Sequence, residues 1–149
     1  MLIGLKKALK KDKASCVALI DIDHFKRIND SYGHLVGDEV LATLSNTIKS
    51  RIRKSDKLCR YGSEEFLIYF TDSNEQEVKR VLDALNKTIS NKTVWKHTDE
   101  RFAVSFSSGV LKVEGETNLD IVIRHCDALL DAAKQRGSAH IGTYSMSMS

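Results

Sequence analysis

Two acidic pairs in the sequence have the residue types and local setting for metal-assisted phosphate chemistry. Asp21-Ile22-Asp23 directly follows a short apolar run, and Glu64-Glu65 follows Gly62-Ser63 between two further apolar runs. Carboxylates brought to neighbouring strand ends can share hard divalent cations, because Mg²⁺ takes oxygen ligands while keeping phosphate oxygens in its shell. Paired ions of that kind activate a hydroxyl and stabilise in-line attack on phosphorus. Taken singly, each pair is better read as acidic residues capping a strand or turn. Between them lies a denser string: Asp21-x-Asp23-x-Phe25-Lys26-x-x-Asn29-Asp30, then Gly33-His34 and Gly37-Asp38. The histidines at 24, 34, 97, 125 and 140 lack metal-ligand spacing, and none is assigned to a metal.

The elements that must position these groups alternate along the chain. Residues 16–20 (Cys-Val-Ala-Leu-Ile) form a continuous apolar run, which suits a strand buried on both faces, with Asp21 at its C-terminal end. Residues 35–52 carry Val40, Leu41, Leu44, Ile48 and Ile52 at helical spacing. Strands are expected at 57–61 and 66–70, joined through Gly62-Ser63 as a II′ hairpin turn with Gly62 at positive φ. Ser73-x-x-Gln76 reads as a capping box opening a helix with Val78, Val81, Leu82, Leu85 and Ile89 inward. One or two strands broken near Gly109 are expected over 101–113. A last helix is expected to be capped by Thr117-x-x-Asp120, buried through Ile121, Val122, Cys126, Leu129, Leu130 and Ala133, and ended at Gly137. An edge strand over 139–144 and a frayed tail at 145–149 close the chain, and residues 1–13 read as an amphipathic opening helix. The order helix, strand, helix, hairpin, helix, strand, helix, strand predicts an α/β (α+β) sandwich. Its centre is a mostly antiparallel sheet on a βαββαβ, palm-like core flanked by helices.

The 149 residues fit one domain spanning 1–149, and 42% hydrophobic with 29% charged residues is ordinary globular composition. A net charge of +3 is too small to argue for a nucleic-acid polymer as partner. The three cysteines, Cys16, Cys59 and Cys126, show no C-x-x-C spacing and read as reduced core thiols. No apolar run approaches a membrane span, so no membrane insertion by this segment and a cytoplasmic setting are expected.

The string from Asp21 to Asp38 resembles the DxDxFKxxND…GHxxGD signature of the GGDEF family of diguanylate cyclases. Arg60-Tyr61-Gly62-Ser63-Glu64-Glu65-Phe66 resembles that family's RYGG[D/E]EF turn, and Ser107-x-Gly109 and the stretch from Asp127 to Lys134 resemble its later motifs. The match runs in order along essentially the whole chain, which makes it far more specific than any one short motif. The resemblance implies condensation of two GTP into cyclic di-GMP across a homodimer, with metal-assisted attack of a 3′-hydroxyl on an α-phosphate. It implies Mg²⁺ (or Mn²⁺), two ions per bound GTP, on Asp21, the carbonyl of Ile22, and Glu64. Asn29 and Asp38 correspond to guanine readers; a carboxylate accepts from guanine N1–H and N2–H₂, donors adenine lacks there. The His24-Phe25-Lys26 turn would present amides to the β- and γ-phosphates, with Lys26 adding charge. Gly62 and Ser63 would border the nucleotide, and Lys134 matches the lysine that reaches the triphosphate. Glu64 or Glu65 is the proton acceptor, and the sequence leaves open which. Arg53-x-x-Asp56 stands at the offset of the family's product-inhibition motif, where cyclic di-GMP would bind; an exposed ion pair is the plain alternative. A bacterial cytoplasmic domain, alone or under an upstream sensory domain, is implied.

Three positions depart from the family. Ser63 replaces the second glycine of the turn, Asp131 replaces a tyrosine near Lys134, and Ser138 stands where an arginine is usual. They raise an alternative: a degenerate, non-catalytic domain that binds GTP or cyclic di-GMP as a sensor. A cyclase for mixed or adenine-containing dinucleotides is a third reading, which Asp38 disfavours.

Overall fold

The computed structural model describes residues 14–114, 118–137 and 139–147. The expected opening helix at 1–13, and with it Thr117 and Ser138, lie outside the described residues.

Five strands form one sheet: β1 (Ala14–Ile22), β2 (Lys57–Arg60), β3 (Glu65–Thr71), β4 (Phe106–Glu114) and β5 (Ile141–Ser147), in the order β2-β3-β1-β4-β5. β1 is central and antiparallel to both β3 and β4, β2 is antiparallel to β3, and β4 pairs with β5 in parallel. The described helices are α1 (Phe25–Tyr32), α2 (His34–Arg51), α3 (Glu75–Asn91) and α4 (Leu119–Gln135). The expected α/β sandwich with a mostly antiparallel sheet is the one observed.

Alternation along the strands divides the core into two layers. Ala18, Ile20, Phe66, Ile68, Phe106 and Val110 pack with residues of α1, α2 and α3, such as Val40, Leu44, Leu82 and Leu85. Val17, Leu19, Leu67, Tyr69 and Leu111 pack instead with Val122, Cys126 and Leu130 of α4. β1 is therefore covered on both faces, which is why it is apolar without alternation. All three cysteines are free and buried.

Helix α4 lies unusually close to the sheet. Gly109 and Gly142 are register partners across β4 and β5. A Cβ on Gly109 would stand 2.2 Å from the Cys126 carbonyl oxygen and 2.7 Å from the Leu130 nitrogen, and one on Gly142 would stand 2.9 Å from the Leu129 carbonyl oxygen. Gly109 thus does not break the strand as expected; β4 runs through it, and the glycine admits the helix backbone.

Other local expectations are corrected. The segment from Phe25 to Tyr32 is a helix that the sequence reading did not separate, since only Phe25 and Ile28 are buried along it. It ends where the Gly33 N–H donates to the Asn29 carbonyl with Gly33 at φ 93. Tyr32 stacks on Phe102 (4.1 Å between ring centroids), and Phe102 on Trp95 (5.3 Å), fastening α1 to the 92–105 segment, which has no strand before Phe106. The cap of α3 is Asn74, whose side chain accepts from the Glu77 N–H, not Ser73. That of α4 is Asn118, accepting from the Asp120 N–H. β5 continues through Ser147, so residues 145–147 are strand, not frayed tail.

Candidate active site

The sheet register brings the acidic pairs together. Asp21 is directly opposite Glu65 on β3 and Ser107 on β4, and the Ile22 N–H donates to the Glu64 carbonyl at 3.3 Å. Asp21 and Glu65 share the parity of Val17, Leu19, Leu67 and Tyr69, so both lie on the α4 face. From the last turn of α4, Lys134 reaches across to Asp21, with Nζ 2.5 Å from Oδ2. The other oxygen, Oδ1, is buried and has no hydrogen-bond partner.

The cluster holds more negative charge than its lysine answers. Burial, and then the negative charge of the adjacent Asp21, push the Glu64 carboxyl up to about 7, although Lys134 pulls the other way. Glu65 is also raised, first by burial and then by Asp21, Asp127 and Asp131. Crowded carboxylates with raised pKa values and an unpartnered buried oxygen fit a divalent cation. The groups that could hold one are the Asp21 and Glu64 side chains and, between Asp21 and Asp23, the Ile22 carbonyl. No set of three or more His, Cys, Asp or Glu side chains among the described residues is arranged to hold a metal, so the fit rests on two side chains and a main-chain oxygen.

Directly after β1, His24 adopts a left-handed conformation (φ 57, ψ 34) and starts α1, whose N-terminus has no side-chain cap hydrogen bond. A helix start of this kind offers backbone N–H groups to an anion. Phe25 is buried beneath the turn while His24 and Lys26 are exposed on it. Asn29, on the last turn of α1, lies against Gly37 of α2; a Cβ there would meet Asn29 Oδ1 at 1.8 Å. That oxygen is also buried without a partner. The next residue, Asp38, is exposed and lines a cavity of about 410 Å³ with Leu41, Ser45, Leu58, Arg60 and Phe66. Asn29 is not part of that cavity's lining.

The signature turn is not the expected II′ turn. Tyr61 and Gly62 both donate their N–H groups to the Glu65 carbonyl, making a loop of four residues between Arg60 and Glu65. The positive-φ glycines among the described residues are Gly33 and Gly137, so Gly62 does not need that conformation. Its small size serves Glu65 instead, whose Oε1 would be 2.6 Å from an added Cβ. Arg60 buckles the turn from below, its Nε donating to the Gly62 carbonyl at 3.2 Å and a terminal nitrogen to the Ser63 carbonyl at 2.5 Å. Arg60 was legible only as one letter of the motif; its double duty, on the turn and on the cavity wall, was not. Ser63 is exposed, so its hydroxymethyl group displaces nothing in the protein.

Arg53 and Asp56 lie elsewhere, beside Thr71 at the far end of β3, about 20 Å of strand from Glu65. The pair is not a plain exposed one: the Asp56 side chain is only 2% exposed. It accepts from the N–H groups of Arg53 (2.8 Å) and Thr71 (3.0 Å) and from the Arg53 guanidinium, locking the α2–β2 loop to β3. Arg53 also donates to the Thr71 carbonyl and to Ser73 Oγ. It borders a cavity of about 220 Å³ that Arg51 also lines.

A five-stranded, mostly antiparallel sheet with carboxylates at adjacent strand ends and a helix start beside them is an α/β architecture of the cyclase type. The pattern described as "Diguanylate cyclase, GGDEF domain" matches residues 3–140, and the chain belongs to that family. It is 33% identical over 132 residues to diguanylate cyclase DosC of Escherichia coli K12, covering 89% of this chain and 29% of that protein. It is 36% identical over 119 residues to diguanylate cyclase DgcZ of the same organism, covering 80% of this chain and 40% of that one. The chain thus spans well under half the length of these relatives. The coiled coil and GGDEF domain of DgcB from Caulobacter crescentus, solved in complex with c-di-GMP, superimposes with a TM-score of 0.88 at 25% identity, covering 95% of this chain and 78% of that one.

Proposed function

We propose that this chain condenses two GTP into cyclic di-GMP with release of two pyrophosphates. The observation that carries this reading is the charge arrangement at the end of β1: Asp21, Glu64 and Glu65 crowded together, a buried Asp21 oxygen without a partner, and Lys134 as the cation beside it. The names of relatives that match 80% or more of this chain in sequence support the same reaction.

Each domain holds one GTP, so two domains meet face to face as a homodimer. The exposed Lys26 and the open amides at the start of α1 hold the β- and γ-phosphates, Asn29 and Asp38 read the guanine, and Lys134 balances charge where the triphosphate meets Asp21. The 3′-oxygen of one GTP forms a bond to the α-phosphorus of the other, the bond from that phosphorus to the bridging oxygen breaks, and pyrophosphate leaves with the electron pair. The hydroxyl proton passes to Glu64 or Glu65, both of which are poised to accept one by raised pKa values. Mg²⁺ or Mn²⁺ bound by Asp21, the Ile22 carbonyl and Glu64, two ions per GTP, would supply Lewis-acid activation of the hydroxyl and neutralise phosphate charge. A repeat of the step closes the ring.

The test is incubation of the protein, dimerised through a fused coiled coil, with GTP and Mg²⁺, reading cyclic product by chromatography. Turnover is expected, with Glu64→Ala reducing it at least about 100-fold. A wild-type protein that binds GTP without turnover would favour the sensor reading; a fully active Glu64→Ala would refute the metal assignment. Product inhibition belongs to the same proposal: Arg53, with Arg51 beside it, faces a cavity suited to a phosphate or guanine edge. Calorimetry should show Arg53→Ala weakening cyclic di-GMP binding about tenfold or more, and unchanged affinity would remove the inhibitory role.

A further inference from the structure

Asp23, the second carboxylate of the first acidic pair, is spent on the protein itself. It is 8% exposed. Its Oδ1 accepts from Ser107 Oγ at 2.7 Å, and its Oδ2 accepts from Ser105 Oγ at 2.6 Å and from the Ala139 N–H at 2.9 Å. Its own N–H donates to the Ser105 carbonyl at 2.9 Å. Both oxygens are thus committed, in contrast to Asp21, and Asp23 is not placed as a metal donor. The side-chain partners lie 82, 84 and 116 residues further along the chain. They belong to the start of β4 and to the turn that leads from α4 into β5.

That turn is the one that follows Lys134. The Gly137 N–H donates to the Lys134 carbonyl, and the Ser108 N–H donates to the His140 carbonyl. Ala139 sits at φ 60, a left-handed conformation that alanine does not choose by itself, and His24 beside Asp23 sits at φ 57. Two strained positions therefore flank one carboxylate, and strain of this kind persists where surrounding contacts over-determine it.

We propose that Asp23 is a positioning residue: its carboxylate clasps the β1–α1 turn, the start of β4 and the α4–β5 turn together, so that Lys134 is held over Asp21. The consequence for catalysis rests on the cyclase reading of Asp21 and Lys134 above; the clasp itself does not. An asparagine at position 23 can still accept from Ser105 and Ala139 through its oxygen and donate to Ser107 Oγ through its amide, whereas alanine can do neither. A clasp therefore distinguishes the two variants in a way that a charge requirement at a metal would not.

The experiment compares wild type, Asp23→Asn, Asp23→Ala and the Ser105→Ala/Ser107→Ala double variant by amide hydrogen exchange at Ala139, unfolding midpoint, and kcat and KM for GTP in the forced dimer. Asp23→Ala is expected to lose exchange protection at Ala139 and to lower kcat/KM by about tenfold or more, while Asp23→Asn keeps the protection and loses less than about threefold. The double serine variant should lower activity toward the Asp23→Ala level, and it replaces that variant if Asp23→Ala does not fold. Asp23→Asn as impaired as Asp23→Ala with Ala139 still protected would overturn the clasp in favour of a direct charge role. Unchanged exchange at Ala139 in Asp23→Ala would overturn it outright. If wild type makes no product, the cyclase reading fails, and exchange at Ala139 alone decides the clasp.

Discussion

Glu64 carries the sharpest consequence at the scale of single residues. Its carboxyl is moved from an ordinary value of 4.5 to about 7, chiefly by burial and then by Asp21. A raised carboxyl pKa means the folded state binds a proton more tightly than the unfolded chain, so stability is fully present below the unfolded value and is lost as pH rises through the folded one. The metal-free protein should therefore melt at progressively lower temperature between about pH 4.5 and 7. Glu64→Gln should flatten that slope, and added Mg²⁺ should restore the midpoint at neutral pH. Scanning fluorimetry across that range checks it; a midpoint that climbs with pH in the metal-free wild type and is unaffected by Glu64→Gln would show that other groups dominate.

Between elements, the decisive contact is the seat of α4 on the sheet. Lys134 meets Asp21 only because the helix backbone sits against Gly109 and Gly142, which offer it no side chains. Gly109→Ala would drive a methyl group into main-chain atoms that have nowhere to go. Its expected cost is about 3 kcal/mol, read as a lower urea midpoint with unchanged slope. Gly142→Ala, whose nearest main-chain contact is 2.9 Å against 2.2 Å, should cost less. Equal stability of Gly109→Ala and wild type would mean that α4 stands further from the sheet than this packing requires. The latch at Asp56 is the counterpart at the other end of β3, so the two ends of that strand serve separate tasks: the proposed chemistry at Glu65 and loop anchoring at Thr71.

For the whole molecule, the proposed chemistry needs two copies, since in that proposal each domain holds one GTP. Specific activity should therefore rise with protein concentration and level off as dimers saturate, and the coiled-coil fusion should make it independent of concentration over the same range. Initial-rate measurements over a hundredfold dilution, expressed per mole of enzyme, provide the check. A constant specific activity in the unfused protein that ultracentrifugation shows to be monomeric would rule out the shared site.

The sequence alone determined the elements whose pattern is local. The unbroken apolar run of β1 announced a strand covered on both faces, the three-and-four spacing of α2 and α3 announced helices, and the ordered motifs announced the family. Short-range signals failed where a stronger partner lay beside the expected one, as when Asn74 capped α3 in place of Ser73. They also failed where too few apolar residues revealed a helix, as in α1. Tertiary structure decided what each polar group spends its hydrogen bonds on. Asp21 and Asp23 are two residues apart and alike in chemistry, yet one keeps a buried oxygen without a partner while the other is fully engaged. Their separate environments come from serines, a lysine and a backbone amide more than 80 residues away, and a carboxylate's task is set by the donors that fold around it.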